Sequence, residues 1–339
     1  MSKETPATLL DVANRAGVSR TTASDALRGF GRVSPATRAQ VLQAARELDY
    51  VTNNAARALR SATTKTIGLH LPDSMTRTDY YMSVVFGVLE QAAEDGYDVT
   101  LMTSKHKSGQ ARIPHVDGVI LGDPLVSDPI ARQLMRLPIP RVTMERLVDD
   151  DAVTAVLWSD HEKWIEKLLT HMLEQGASAI GLLASSEVTD WGGRVQYAYR
   201  EWSERNGLSA MISELPFGST PQQYADATVE MLNAHPAMNG LLCGPDGSAA
   251  AVVRVLRERG IRVGDDFLVA ACVDNSAMLM CDPPITAIDL SPREAGSACV
   301  RLLLEVIRGH ATPDATRTFP ITAHFRGSTA GNTALLHSE

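Results

Sequence analysis

The stretch Thr8-Leu9-Leu10-Asp11-Val12-Ala13-Asn14-Arg15-Ala16-Gly17-Val18-Ser19-Arg20-Thr21-Thr22-Ala23-Ser24 decides how this chain is read. Thr8 is a favoured helix N-cap with Asp11 three residues on, and Leu9, Val12, Ala13 and Ala16 fall on one face of the helix it starts. Gly17 supplies the tight bend that follows. Ser19 caps a second helix running to about Arg28, and Gly29-Phe30-Gly31 ends it. Ser34-Pro35 opens a third helix, whose apolar stripe is Val41, Ala44, Ala45 and Leu48. This is the pattern of a helix-turn-helix, in which the second helix enters the DNA major groove with its first residues on the base edges. Arg20, Thr21 and Asp25 are expected to face those edges. Ser19, Thr22 and Ser24 are expected on phosphates, together with the free N–H groups of the helix start. Asp25 cannot donate to guanine; it can accept from cytosine N4, or pair with Arg28 or Arg20 and orient them.

Charge supports that reading once it is resolved along the chain. The net charge of −8 argues by itself against nucleic acid, but residues 1–66 hold ten Lys and Arg against five Asp and Glu, so this segment is +5 and the remainder −13. A small basic head on an acidic body fits a head that meets phosphate and a body that does not. The 339 residues suggest two or three domains. No run of about 18 apolar residues occurs and Met1–Pro6 lacks the apolar stretch of a signal peptide, so a cytoplasmic protein without a membrane span is expected. The four cysteines, at 243, 272, 281 and 299, form no CxxC pair and the nine histidines no HExxH. They are expected as small buried hydrophobes and as surface or core histidines, with no metal and no cofactor.

From Thr66 the texture changes to short apolar runs alternating with amphipathic segments. Strands are expected at 67–71, 99–102, 118–121, 141–144, 179–183, 240–243 and 268–271. Helices are expected near 80–95, 128–136, 161–175, 192–206, 221–234, 247–259 and 292–308. Alternating β and α means parallel sheets with helices on both faces, and some 270 residues of it suggest two doubly wound units.

The chain from Thr8 to Leu59 resembles the lactose-repressor/galactose-repressor family of bacterial transcription factors. The resemblance rests on the opening stretch and on Val33-Ser34-Pro35-Ala36-Thr37-Arg38, Leu48-Asp49-Tyr50 and Asn53-Asn54-Ala55-Ala56-Arg57-Ala58-Leu59-Arg60. It resumes, more loosely, in Thr66-Ile67-Gly68-Leu69, Val116-Asp117-Gly118-Val119-Ile120-Leu121, Val273-Asp274-Asn275-Ser276 and Pro284-Ile285-Thr286-Ala287-Ile288. It implies a small all-α helix-turn-helix head (1–52), a hinge helix and linker (53–65), and an α/β body of the type-I periplasmic-binding-protein kind (66–339). The body would have two doubly wound parallel-sheet lobes, an N-lobe of about 66–158 and 289–320 and a C-lobe of about 159–288 and 321–335.

What the resemblance implies for function follows residue by residue. Residues 53–60 are too few to form a stable helix in water; in the family they fold on the operator. Leu59 then matches a leucine wedged into a minor-groove step, Ala56 allows close backbone approach, and Asn53 and Arg57 suit phosphate. Thr8, Arg28, Ser34, Thr37 and Tyr50 complete the expected DNA contacts. Thr52 stands where the family usually has Pro. A small effector, a sugar or nucleoside, is expected between the lobes. Its implied contacts are Asp79, Tyr80, Glu145, Asp160, Arg194, Phe217, Asp246 and Asp274, with Trp191 a stacking candidate beside Arg194. Arg194 and Asp274 match best, whereas Pro245-Asp246 and Tyr197 depart from the family's usual Asn-Asp and Gly. The implied protein is a repressor that binds double-stranded, pseudo-palindromic operator DNA as a homodimer. The chain's end at Leu335-Leu336-His337-Ser338-Glu339 shows no heptad tail for a tetramer. A transport sugar-binding protein would carry a signal peptide and no head. An enzyme would show a GxGxxG fingerprint, a P-loop or a nucleophile elbow, and none is read, so no catalytic activity is expected.

Overall fold

A computed structural model describes residues 7–28, 31, 33–50, 63–72, 79–102, 114–125, 127–146, 153–186 and 189–331. The chain divides into two compact units, Met1–Thr64 and Lys65–Glu339.

The first unit holds helices α1 (Leu9–Arg15), α2 (Arg20–Arg28) and α3 (Pro35–Glu47). Each start is written into the sequence. Thr8 Oγ1 accepts from Asp11 N while the Asp11 carboxylate accepts from Thr8 N, a reciprocal capping box. Ser19 Oγ accepts from Thr22 N at 3.1 Å, and Ser34 Oγ from Thr37 N at 3.1 Å with Pro35 as the first helical residue. Each such cap is worth about 1 kcal/mol against alanine. Gly17 takes φ +64, which lets α2 turn away sharply from α1. Val12, Ala13, Ala16, Ala23, Ala26, Val41, Ala44 and Ala45 form the core, with Leu9, Val18, Leu27, Val33, Leu48 and Tyr50 packed on it.

The second unit is built on two six-stranded sheets. The first contains β1 (Thr66–His70), β2 (Asp98–Met102), β3 (Gly118–Gly122), β4 (Arg141–Met144), β5 (Ala155–Trp158) and β11 (Thr316–Thr318), in the order β11-β5-β4-β3-β1-β2 and all parallel. The second contains β6 (Ile180–Ser185), β7 (Ile212–Leu215), β8 (Gly240–Cys243), β9 (Leu268–Ala271), β10 (Thr286–Asp289) and β12 (Thr322–His324). Its order is β12-β10-β9-β8-β6-β7, parallel except for β12. Each is a doubly wound sheet whose strand order reverses beside its first strand, and ligands bind at the carboxyl ends of such sheets.

Helices cover both faces. On the first sheet these are α4 (Asp79–Glu94), α5 (Pro129–Met135) and α11 (Pro292–Ile307); on the second, α6 (His161–Glu174), α7 (Asp190–Arg205), α8 (Pro221–Ala234), α9 (Ser248–Glu258) and the short α10 (Ser276–Met280). The chain therefore passes between lobes after β5, after β10 and after β11. The backbones of α4 and α11 approach so closely that a Cβ on Gly87 would strike the Arg293 carbonyl, and one on Gly296 the Val84 carbonyl. Cys243, Cys272 and Cys299 are buried among the apolar core residues.

The strands β5, β7, β10, β11 and β12 are not among those read from the sequence. β11 and β12 have three residues each and are largely exposed at sheet edges, so they carry no apolar run. No helix among the described residues is long and apolar enough to cross a membrane.

Candidate functional site

The head presents the start of α2 to solvent. Ser19, Arg20 and Thr21 are exposed, and Thr22, Ser24 and Asp25 are partly so. Ser19 and Thr22, expected on phosphate, are joined to one another, Oγ to Oγ1 at 2.8 Å, and Ser34 and Thr37 repeat the arrangement at 2.8 Å. These hydroxyls organise helix N-termini, where backbone N–H groups and the helix dipole already favour an anion. Thr8 likewise directs its hydroxyl at Asp11 Oδ2, 2.6 Å away. The Asp25 carboxyl packs against Gly31, where a side chain would meet it at 3.3 Å. Tyr50 is partly buried against the head core. The Arg28 side chain and all of Asn53, Ala56, Arg57 and Leu59 lie outside the described residues.

In the body, a cavity of about 380 Å³ opens at the carboxyl ends of both sheets. Six strands of the two sheets deliver a residue to it: Asp123 follows β3, Glu145 follows β4, Ser185 ends β6, Phe217 follows β7, Asp246 follows β8 and Asn275 follows β9. Asp79, Tyr80 and Tyr81 enter from the first turn of α4, His161 from α6, Trp191 from α7 and Tyr224 from α8.

Two carboxylates form the floor on the first sheet. Asp123 N donates to Met144 O at 3.0 Å, which continues the β3–β4 register and sets Asp123 beside Glu145. Both adopt left-handed backbone, φ +41 and φ +61, a conformation unfavourable for these side chains and found where surrounding structure enforces it. Asp123 Oδ2 accepts from the Tyr81 hydroxyl at 2.5 Å. Glu145 Oε1 accepts from Ser159 N at 3.1 Å and lies 2.9 Å from His161 Nε2. Burial, and then the neighbouring Glu145 charge, pushes the Asp123 carboxyl up to about 7. Burial also raises the Tyr80 and Tyr81 phenols, with Asp123 adding to both.

Besides His161 on Glu145, further polar contacts link the lobes around the cavity. The Asp246 carboxylate, raised by burial, receives Tyr80 N–H as well as Asn275 Nδ2 at 2.6 Å. Asp190 Oδ2 accepts from Arg146 N at 3.4 Å. Arg194 Nη1 stands 3.7 Å from Glu145 Oε2. Three atoms at the cavity are buried without a hydrogen-bond partner: Glu145 Oε2, Ser185 Oγ and Trp191 Nε1. Buried polar atoms are nearly always satisfied, and these three unpaired ones belong to residues that line one cavity, which suits a ligand carrying both donors and acceptors.

Of the nine side chains expected around the effector, six line the cavity: Asp79, Tyr80, Glu145, Trp191, Phe217 and Asp246. Three do not. Asp160 caps α6, its carboxylate accepting from Lys163 N at 3.2 Å. Asp274 is held by both nitrogens of Arg326, at 2.8 and 2.6 Å. Arg194 stands behind Glu145, bonded to Glu162 at 3.0 Å and to the Ser159 carbonyl at 3.2 Å, with its guanidinium 4.8 Å from the Trp158 ring. The sequence reading omits Tyr81, Asp123, Ser185, His161, Tyr224 and Asn275. Asp123 was accessible to it in principle, because Gly122-Asp123-Pro124 directly follows an apolar strand.

A helix-turn-helix head and a two-lobed binding fold closed around a polar cavity, on one chain, define a DNA-binding regulator with a ligand-binding body. Comparison with known proteins gives the family. Residues 8–53 match the model "Bacterial regulatory proteins, lacI family", and residues 169–329 match "Periplasmic binding protein-like domain". The chain belongs to the lacI family of bacterial transcriptional regulators. Among curated relatives it is 29% identical to the HTH-type transcriptional regulator CelR of Thermobifida fusca, over 92% of this chain and 95% of that one. It is 26% identical to the HTH-type transcriptional repressor CytR of Escherichia coli (strain K12), over 96% and 97%. Among solved structures, a CelR–cellobiose complex matches with TM-score 0.70 and 26% identity, covering 95% of this chain and 99% of the other. A Lac repressor dimer bound to operator and the anti-inducer ONPF matches with TM-score 0.82 over 96% and 99%; at 24% identity this likeness shows the fold.

Proposed function

We propose that this regulator is a cytoplasmic repressor that binds a pseudo-palindromic operator as a homodimer, and whose operator affinity is set by a small hydroxyl-bearing effector, a sugar or nucleoside, in the cavity between its lobes. The observation that carries the reading is the cavity itself, with aromatic walls and the open polar atoms of Glu145, Ser185 and Trp191 at the switch points of two facing sheets. The cellobiose in the related CelR complex supports the same class of ligand. Aromatic rings suit the apolar faces of a sugar or base, and carboxylates accept from hydroxyl groups.

The dimer is supported by an exposed apolar stripe. Met82, Phe86 and Leu89 share one face of α4 at 44%, 49% and 42% exposure, and Leu279 and Met280 stand out on α10 at 58% and 85%. Large apolar side chains exposed at helical spacing mark an association surface, and a two-fold operator needs two heads.

Effector control then follows from linkage. Tyr80, Asp246, Arg194 and Glu145 join the lobes across the cavity, so a ligand among them favours one lobe arrangement and thereby one operator affinity. The test uses the full chain and an operator selected from random duplexes. Saturating effector shifts operator affinity at least fivefold in the native protein, and Phe217→Ala removes the shift while operator binding by the free protein stays within twofold. An effector response that persists in Phe217→Ala, and in Trp191→Ala, rejects the cavity as its site.

A further inference from the structure

The cavity is unbalanced in charge. Asp79, Asp123, Glu145 and Asp246 line it, and among the described lining residues there is no lysine or arginine. Asp123 and Glu145 are each only 6% exposed and stand side by side on adjacent strand ends. Glu145 Oε2 is buried without a hydrogen-bond partner. Glu145 is met by His161 Nε2, 2.9 Å from Oε1, and by the Arg194 guanidinium, 3.7 Å from Oε2 and shared with Glu162 and the Ser159 carbonyl, whereas Asp123 receives the Tyr81 hydroxyl and is met by neither. A buried carboxylate without a compensating cation is strongly unfavourable, so Asp123 must either take up a proton or meet a positive charge. The elevation of Asp123 to about 7 records the first solution, burial and Glu145 acting together.

A ligand supplies the second. Among the described residues no group of three or more His, Cys, Asp and Glu is disposed to hold a metal ion, which leaves an organic cation. An ammonium group brings both three donors and the missing charge, and hydrogen bonds between charged partners are about twice as strong as neutral ones. Around it Tyr80, Trp191, Phe217 and Tyr224 present rings, whose faces attract a desolvated cation. The same field repels phosphate and carboxylate ligands.

We propose that the effector bears a protonated amine, held by Asp123 and Glu145 at the strand ends, with the rest of its hydroxylated skeleton against the aromatic walls. This rests on the cavity being the effector site. An aminated sugar and an aminated nucleoside present the same chemistry, and matched pairs distinguish them.

Calorimetric titration of the full chain at pH 7.5 compares the β-1,4 disaccharide of glucosamine with cellobiose, and 3′-amino-3′-deoxyadenosine with adenosine. In one pair the amine binds at least tenfold tighter than its hydroxyl counterpart, and the N-acetylated disaccharide shows no such advantage. The preference falls below twofold in Asp123→Asn and in Glu145→Gln, each first checked for cooperative unfolding; Asp123→Asn decides alone if Glu145→Gln does not fold. A hydroxyl member that binds as tightly as its amine overturns the amine while leaving the effector site standing, provided Phe217→Ala abolishes that binding. An amine preference that survives in the variants overturns the seat. Binding by neither pair overturns the amine and the sugar-or-nucleoside reading together.

Discussion

Asp123 and Glu145 are two buried carboxyl groups at the carboxyl ends of β3 and β4. Each sits in left-handed backbone directly after a parallel strand, and each is buried beside the other. The Asp123 proton gives a direct prediction. Its carboxyl titrates near 3.8 in the unfolded chain and near 7 in the folded one, so the folded state keeps a proton that the unfolded state releases. The stability this contributes is present below the unfolded value and is lost as pH rises through 7, on the order of 4 kcal/mol in all. Asp123→Asn is expected to raise the melting temperature relative to the native chain at pH 8 and to leave it nearly unchanged at pH 4, measured by thermal unfolding. An equal difference at both pH values contradicts the assignment. Asp274 shows the opposite case, a residue singled out by resemblance whose role in the structure is architectural. Its carboxylate and Arg326 form a bidentate pair with side chains 13% and 14% exposed. Removing one partner of such a pair strands the other, so Asp274→Ala is expected to lose about 3 kcal/mol of stability. Effector affinity, measured by calorimetry below the lowered transition, stays within threefold.

At the scale of elements, legibility follows locality. Helices α1, α2 and α3 are readable because Thr8, Ser19 and Ser34-Pro35 declare their starts within three residues, through bonds the structure contains. Most central strands are readable because burial on both faces demands an unbroken apolar run, as in Gly118–Gly122, but the internal strands β5 and β10, of four residues each, are not read. Edge strands β11 and β12 pair along one side only, and nothing in three exposed residues marks them. The cavity was partly legible for the same reason. Phe217 and Asp246 sit where a binding fold of this kind places contacts, but the junction of Asp123, Tyr81 and His161 with Glu145 exists only once β3, β4, α4 and α6 are assembled. Residues 53–60, expected to fold on the operator, yield their own prediction. Leu59→Ala is expected to weaken binding to the selected operator by tenfold or more and to change binding to random duplex by less than twofold in a gel-shift titration. Equal losses on both duplexes contradict a groove wedge.

For the whole molecule, charge and cavity divide the labour. The +5 of residues 1–66 favours phosphate, and the −13 of the remainder disfavours contact of the body with DNA and of the cavity with anions. A regulator needs more than two sites on one chain; it needs coupling between them, and coupling is reciprocal in binding free energy. The most direct measurement is therefore a calorimetric titration of the effector into the full-length protein, with and without saturating operator duplex. Effector Kd is expected to change by at least fivefold when operator is bound, by the same factor that effector changes operator Kd. An effector Kd identical in the two titrations would contradict the account.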